Sequence, residues 1–112
     1  MGVTSEIKLK SDGGFIPDGE YVLNRNIKCF GKANGKATVK DGVFTVLKGS
    51  LCGNTGKGYV PSIRRNAKIK DNVLQEDIVC MNPLSAGWII IGKSNNGWVE
   101  WKDLQGNPIE KI

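Results

Sequence analysis

The chain has 112 residues and a net charge of +5 at neutral pH, with 39% hydrophobic and 24% charged residues. This length suffices for one domain with a modest core, and the ordinary apolar content excludes global disorder. No stretch approaches the ~20 apolar residues of a membrane-spanning helix, and no apolar run follows the N-terminus. We therefore expect neither a membrane segment nor a signal peptide.

Histidine is absent from the chain. Its absence removes the most frequent general base, the Ser-His and Cys-His nucleophile pairs, and the most frequent metal ligand. The cysteines, Cys29, Cys52 and Cys80, are odd in number and far apart, which indicates reduced thiols and a cytoplasmic location rather than a zinc site. We expect no catalytic residue, no metal, no cofactor and no enzymatic activity.

Residues 1–28 are predicted to form an N-terminal extension with short strands. Ile7 and Leu9 alternate with charged residues, a pattern typical of a short edge strand, and residues 20–23 are a second strand candidate. Disorder of the first dozen residues is the alternative. Residues 29–112 are predicted to form a single folded domain.

Positive charge is concentrated in the middle of the chain. Residues 25–70 contain eleven basic residues and one acidic residue, Asp41, which gives a net charge of +10. The flanking segments together carry −5, so the moderate total conceals a strong separation of charge.

The clearest hairpin lies within this basic segment. Residues 36–40 alternate polar and apolar side chains, Asp41-Gly42 is a tight-turn pair, and residues 43–48 alternate again. Because successive side chains of a strand point to opposite faces, Lys36 and Lys40 are expected on one face of the hairpin.

A basic, glycine-rich loop and a helix are predicted next. Residues 49–58 have little side-chain bulk and many free amides, but match no phosphate-loop spacing. The helix is predicted to begin with Ser62 as its cap and to end at Asp71-Asn72. Three basic residues would project from one of its sides: Arg64, Arg65 and Lys68. Leu74 and residues 78–80 are then predicted to lead through a strand.

The segment from Asn82 to Lys102 contains all three tryptophans and the apolar run 88–91. We predict a helix that is capped by Asn82, has Pro83 at its first position and ends at a left-handed Gly92. Three consecutive isoleucines favour a strand instead, and this alternative stays open at the sequence level. The letters of residues 87–94 fit a phosphate-loop pattern, but the bulky middle positions indicate a coincidence.

After this helix, a turn at residues 95–97 is predicted to lead into a strand at Trp98–Lys102. In a strand, Trp98 and Trp101 would point to opposite faces, so at least one should be in the core while an exposed one could stack on a base. Trp88 is predicted to be in the core. The polar residues beside these tryptophans could read base edges or simply make the turn; they are Lys93, Asn95 and Asn96.

Four stretches in a fixed order carry a family resemblance: Val43–Ser50, Arg64-Arg65, Val73-Leu74 and Gly92–Asp103. They resemble the bacterial domain of unknown function family 4357, over roughly residues 29–112. The family pattern runs from a strand ending in Leu-Lys-Gly-Ser, through a basic helix and Gly-Val-Leu, to a Ser-Pro-Ser-Ala-Ala helix, Gly-Arg-Ser-Ala-Asn-Gly-Trp and Trp-Lys. Here residues 82–87 replace the Ser-Pro-Ser-Ala-Ala block and Lys stands for Arg.

The resemblance implies a small α+β domain without an established activity. It also implies a partner domain, because such domains commonly lie C-terminal to nuclease-type domains of the GIY-YIG class. This chain contains no such domain. The Asn-Gly-Trp-x-x-Trp ending is also similar to restriction-methylase-associated domains that are proposed to recognise modified DNA. Family membership by itself does not give function.

The sequence as a whole predicts an α+β fold, a small single domain of antiparallel β-hairpins packed against about two helices. It predicts a non-catalytic accessory module that binds nucleic acid, DNA more than RNA, through a basic surface. The expected binding residues are Lys36, Lys40, Lys48, Lys57, Arg64, Arg65, Lys68, Lys93, Asn95, Asn96 and Trp98. A partner domain or protein of the nuclease type is expected with it. The alternatives are scattered solvated lysines, or a protein-interaction or oligomerisation module that does not bind nucleic acid.

Overall fold

The structure, a computed structural model, describes residues 16–28 and 30–112. Within these residues the chain forms, in order, β1 (Gly19–Ile27), β2 (Gly31–Lys40), β3 (Val43–Val46), α1 (Ser62–Arg65), β4 (Ile69–Lys70), β5 (Val73–Leu74), β6 (Ile78–Cys80), α2 (Pro83–Ile91), α3 (Gly97–Glu100), β7 (Lys102–Asp103) and a 3-10 helix (Ile109–Lys111). None of the helices in this part of the chain has the length and apolar character needed to cross a lipid bilayer. The predicted strand around Ile7 and Leu9, and Cys29, lie outside the described residues.

Five of these strands form one antiparallel sheet in the order β6-β3-β2-β1-β7, whereas β4 and β5 pair separately as a hairpin. This architecture confirms the predicted α+β class. Among the described residues there are three α-helices where about two were expected, and α1 and α3 have four residues each. The predicted strand at residues 20–23 is part of the longer β1, and the domain boundary at residue 28 stays a prediction.

The hairpin of β2 and β3 is confirmed, and its turn shows why the two strands form. Asp41 and Gly42 have φ angles of 51° and 81°, the left-handed pair that matches the twist of two antiparallel strands. Along β2 the side chains alternate: Ala33, Ala37 and Val39 are buried while the residues between them face outward. β2 is longer than the predicted strand, because β1 pairs with its residues 31–39.

Helix α2 is confirmed at both ends and lies in the core. The Asn82 side chain accepts a 2.9 Å hydrogen bond from the amide of Ser85, and Gly92 ends the helix at φ 81°. Ile89, Ile90 and Ile91 are all fully buried, so three of the four residues of the last turn of the helix lie in the core. Each buried isoleucine stabilises the fold by about 1.5–3 kcal/mol.

Helix α2 covers one face of the five-stranded sheet. It contacts β1, β2 and β3, and a Cβ at Gly35 of β2 would lie 2.5 Å from a side-chain carbon of Ile90. The glycine therefore lets helix and sheet approach closely. The opposite face of the sheet carries the outward-facing residues of β2.

The predicted strand at Trp98–Lys102 is wrong, because residues 97–100 form α3 and the strand β7 begins at Lys102. A helical turn places side chains three residues apart on the same side, whereas a strand would separate them. Trp101 is fully buried and Trp98 packs against the same core, so the turn brings both rings inward.

The helix predicted from Ser62 to residue 70 is also wrong beyond Arg65. Asp71 and Asn72 have φ angles of 52° and 66°, so they turn the chain into the β4–β5 hairpin rather than ending a helix. Leu74 of that hairpin is buried, which places its side chain in the core. The Ser62 side chain makes no capping hydrogen bond, and Pro61 occupies the cap position.

Candidate nucleic-acid interface

The basic residues of the middle segment are divided between two faces of the molecule. Lys32, Lys36 and Lys40 alternate with buried residues along β2 and are exposed, so they lie on the sheet face opposite to α2. We call these three residues the lysine row. The second group of basic residues includes Arg64 and Arg65 of α1, and this helix packs against α2. The basic residues that were expected to form one surface therefore do not all lie on one face of the molecule.

The second surface contains a cleft of about 540 Å³. Its lining residues come from the glycine-rich loop and α1: Thr55, Gly58, Tyr59, Val60, Arg64 and Arg65. This lining includes no carboxylate among the described residues, and residues 42–70 contain no acidic residue at all. Among the described residues that line the cleft, the charged side chains are therefore those of Arg64 and Arg65.

An exposed aromatic ring stands in this cleft. Tyr59 has 80% of its surface exposed, and its ring meets Trp88 of α2 edge to face, with centroids 6.3 Å apart and planes at 89°. Trp88 was predicted to lie in the core but is half-buried, because its helix position faces this loop. We call Lys57, Tyr59, Arg65 and Trp88 the cleft face.

Arg64 and Arg65 are neighbours with different environments. The Arg64 guanidinium donates hydrogen bonds of 2.6 Å to the carbonyl of Ile89 and 2.7 Å to the carbonyl of Gly53. Burial of this group lowers the pKa of Arg64, against the raising effect of the nearby Cys52. Arg65 is exposed and makes no ion pair with any residue that the structure describes. Arg64 thus joins the loop to α2, whereas the side chain of Arg65 is exposed to solvent.

The glycine-rich loop is held by hydrogen bonds at its start and is exposed to solvent in its later part. The amide of Gly53 donates a 2.7 Å hydrogen bond to the carbonyl of Ile90, and Asn72 donates to the carbonyl of Cys52 and to the side chain of Asn54. Residues 54–59 are exposed, so Lys57 extends from the loop into solvent. The anchored start holds the position of the cleft, while the exposed part remains accessible to a ligand.

The polar residues after α2 make largely structural contacts. A Cβ at Gly87 would lie 2.1 Å from Oδ1 of Asn95, so the Asn95 amide fills the space that this glycine leaves. Its Nδ2 donates to the carbonyls of Lys93 and Leu84 at 3.1 and 3.5 Å. Lys93 and Asn96 are exposed, and Trp98 is half-buried. Of this group, Lys93 and Asn96 offer the freest side chains.

The other predicted binding residues are accessible but lie apart from the cleft lining. Lys48 and Lys68 are exposed; the backbone amide of Lys48 donates to the Asp77 carboxylate at 2.8 Å. Arg25, another basic residue of the segment, pairs with Glu100 on the α2 side of the sheet.

Two features of the cleft escaped the sequence reasoning. Tyr59 was not singled out, although it is an aromatic residue inside a glycine-rich basic loop, which is a recognisable signal for base stacking. The structural role of Arg64 has no local signal, because its partners are backbone carbonyls that are 11 and 25 residues away along the chain.

The cysteines that the structure describes are not placed for chemistry. Cys52 and Cys80 are unpaired and buried, and burial raises the pKa of these thiols to about 11 and about 12. Thiols with such pKa values are protonated at neutral pH and are poor nucleophiles. Within the described part of the chain, no three His, Cys, Asp or Glu side chains form a group that could hold a metal ion.

The sequence motifs behind the family resemblance largely support the fold. Gly49 has a φ angle of 90°, and the buried Ser50 hydroxyl accepts a 3.0 Å hydrogen bond from the amide of Lys36 and donates to the carbonyl of Leu47 at 2.8 Å. A Cβ at Gly97 would lie 2.1 Å from the carbonyl oxygen of Pro83. These contacts explain why a strand ending in Leu-Lys-Gly-Ser and an Asn-Gly-Trp turn belong to one fold.

No curated protein and no solved structure matches the chain. A family model, described as Domain of unknown function (DUF4357), matches residues 23–112, which include β2, the cleft and both glycine-dependent motifs. The chain therefore belongs to this family of unknown function, as the resemblance had indicated.

Proposed function

We propose that this domain is a non-catalytic accessory module that binds nucleic acid through the cleft face. The observation that carries the proposal is the exposed ring of Tyr59 in a positively charged cleft beside Arg65. Single-stranded and flexible nucleic acids are commonly bound by such a combination of aromatic and basic side chains. The family resemblance implies a nuclease-type partner domain, which favours DNA over RNA as the ligand. Such a partner would carry out the catalytic reaction.

Charge at the cleft face has the character of a phosphate-binding surface. Lys57 and Arg65 are exposed and make no ion pair with any described residue, so their charges are available to a ligand. Neutralising phosphates with these two side chains would release condensed counterions, which makes the affinity fall as salt rises. Arg65 can also donate two parallel hydrogen bonds to one phosphate.

Fluorescence anisotropy with labelled duplex DNA, single-stranded DNA and RNA, each at two salt concentrations, tests this proposal. The double variant Lys57→Ala/Arg65→Ala removes two charges from the cleft face. Its matched control, Lys36→Ala/Lys40→Ala, removes two charges from the lysine row on the other side of the sheet. We expect the cleft variant to weaken binding and to reduce the salt slope by about two, whereas the control stays close to wild type.

Two results would count against the proposal. Equal weakening by both double variants would indicate non-specific attraction to net charge rather than a site at the cleft. No binding of any ligand at about 20 mM salt, where counterion release favours association most, would reduce the basic segment to a solvated surface.

A second function, protein interaction or oligomerisation, is favoured by a different surface. β6 forms one edge of the five-stranded sheet, and Val79 within it is 66% exposed. Met81 directly after it is 93% exposed, and Val43 on the neighbouring β3 is 46% exposed. An apolar sheet edge of this kind is a ready site for pairing with another chain. Analytical ultracentrifugation would show self-association that Val79→Lys abolishes, and a monomer at all concentrations would exclude oligomerisation.

A further inference from the structure

We propose that the cleft binds one unpaired nucleobase, which stacks on the ring of Tyr59. The inference rests on the proposed function and adds to it the chemical class of the ligand. An unpaired base is available from a single strand or from a position extruded from a duplex, and both sources present the same aromatic face.

The orientation of the two aromatic rings leaves a stacking surface free. Tyr59 and Trp88 meet at 89°, so the edge of one ring touches the face of the other. Trp88 therefore covers at most one face of the tyrosine ring, and the 80% exposure of Tyr59 confirms that most of its surface is open.

The walls of the cleft suit a base rather than a phosphate alone. Val60 offers an apolar wall beside Tyr59, and Thr55 offers a hydroxyl that can donate to or accept from a base edge. Gly58, with a φ angle of 102°, adds no side chain that would obstruct the entry. A volume of about 540 Å³ lies within the range of roughly 300–1,000 Å³ that is usual for small-molecule sites.

The charges around the cleft then favour a base that is attached to its backbone. Arg65 lines the cleft, and Lys57 lies two residues before Tyr59 on the exposed part of the loop. A base on Tyr59 would bring its flanking phosphates toward these side chains. In a regular duplex, neighbouring base pairs cover both faces of every base, so Tyr59 can stack only after a base leaves the helix.

The test compares a single-stranded oligonucleotide with a strand of the same length that carries abasic sugars, using anisotropy at low salt. The wild-type protein should bind the normal strand about tenfold more tightly, as expected for one stacked base. Tyr59→Ala should lose about this factor on the normal strand and leave binding of the abasic strand unchanged. Tyr59→Phe keeps the ring and should retain the preference.

The outcomes separate this inference from the proposed function. Equal affinity of wild-type protein for normal and abasic strands would overturn base binding while leaving phosphate binding intact. No binding to either strand would overturn base binding, and no binding to duplex DNA or RNA as well would overturn the proposed function. A duplex with one bulged base, compared with a perfect duplex, identifies the source: preference for the bulge indicates an extruded base, and preference for the single strand over both indicates a single-stranded ligand.

Discussion

Replacing Arg64 should destabilise the domain, whereas replacing its neighbour Arg65 should not. Arg64 donates charged hydrogen bonds to the carbonyls of Ile89 and Gly53 and so ties the last turn of α2 to the glycine-rich loop. Hydrogen bonds that involve a charged group contribute about 1.5–3 kcal/mol each. Because the side chain is half-buried, we take the lower part of this range and expect Arg64→Ala to cost about 3 kcal/mol of unfolding free energy.

Thermal and urea denaturation followed by circular dichroism would measure this difference. A loss of about 3 kcal/mol should lower the Tm of a domain of this size by roughly 10 °C. Arg65→Ala is the matched control, since it removes the same charge one residue later and should change the stability by less than about 0.5 kcal/mol. Arg64→Lys should also destabilise, because a single ammonium cannot reproduce the fork of the guanidinium.

Equal melting temperatures of the Arg64→Ala and Arg65→Ala variants would refute this reasoning. It would mean that Arg64 does not hold the loop on α2. The same comparison is a control for the binding experiments. A variant that removes both arginines at once could lose binding because it unfolds rather than because it lacks a phosphate contact.

Two further predictions concern the core. Gly87→Ala should lower the unfolding free energy by about 1 kcal/mol or more, because the new Cβ would displace Asn95. This loss should exceed the gain from the better helix propensity of alanine. Gly56→Ala, which has open space around it, is the control, and a denaturant titration measures both variants. Burial raises the pKa of Cys52 to about 11 and of Cys80 to about 12 from 9.0, so the folded state retains protons that the unfolded state loses. The unfolding free energy should therefore fall as pH rises from about 9 toward 11, and it should fall less steeply in the Cys52→Ala variant. If that variant shows the same dependence of unfolding free energy on pH as the wild type, the raised pKa of Cys52 is contradicted.

The elements that the sequence predicted well are those with local chemistry. Asp41-Gly42 can adopt the left-handed pair that a tight hairpin needs, and Asn82-Pro83 with Gly92 marks both ends of α2. Each of these signals acts within a few residues of the structure that it determines. They were sufficient to obtain the α+β class, although not the order of the strands in the sheet.

The elements that were missed depend on distant contacts. The helical turn of α3 allows Trp98 and Trp101 to enter one core, whereas the sequence predicted a strand at residues 98–102. Asp71-Asn72 resembled a helix end, yet its two left-handed residues form a hairpin turn that pairs β4 with β5. Local propensity is weak against such tertiary packing.

The candidate site was predicted only as a charge pattern. The separation of charge along the chain identified the basic segment. It did not predict that the sheet would place some of these residues in the cleft face and others in the lysine row. Sequence alone also could not separate Arg64 from Arg65, because the difference lies in the carbonyls that Arg64 contacts. Tyr59 became a candidate only when its exposure and its contact with Trp88 were known.

The salt dependence of DNA binding by the two double variants is the most direct measurement of the central claim, that the cleft face binds nucleic acid. We predict that Lys57→Ala/Arg65→Ala weakens binding and reduces the slope of log K against log salt by about two relative to wild type, whereas Lys36→Ala/Lys40→Ala leaves both close to wild type. Equal effects of the two variants, or wild-type binding by the cleft variant, would contradict the claim.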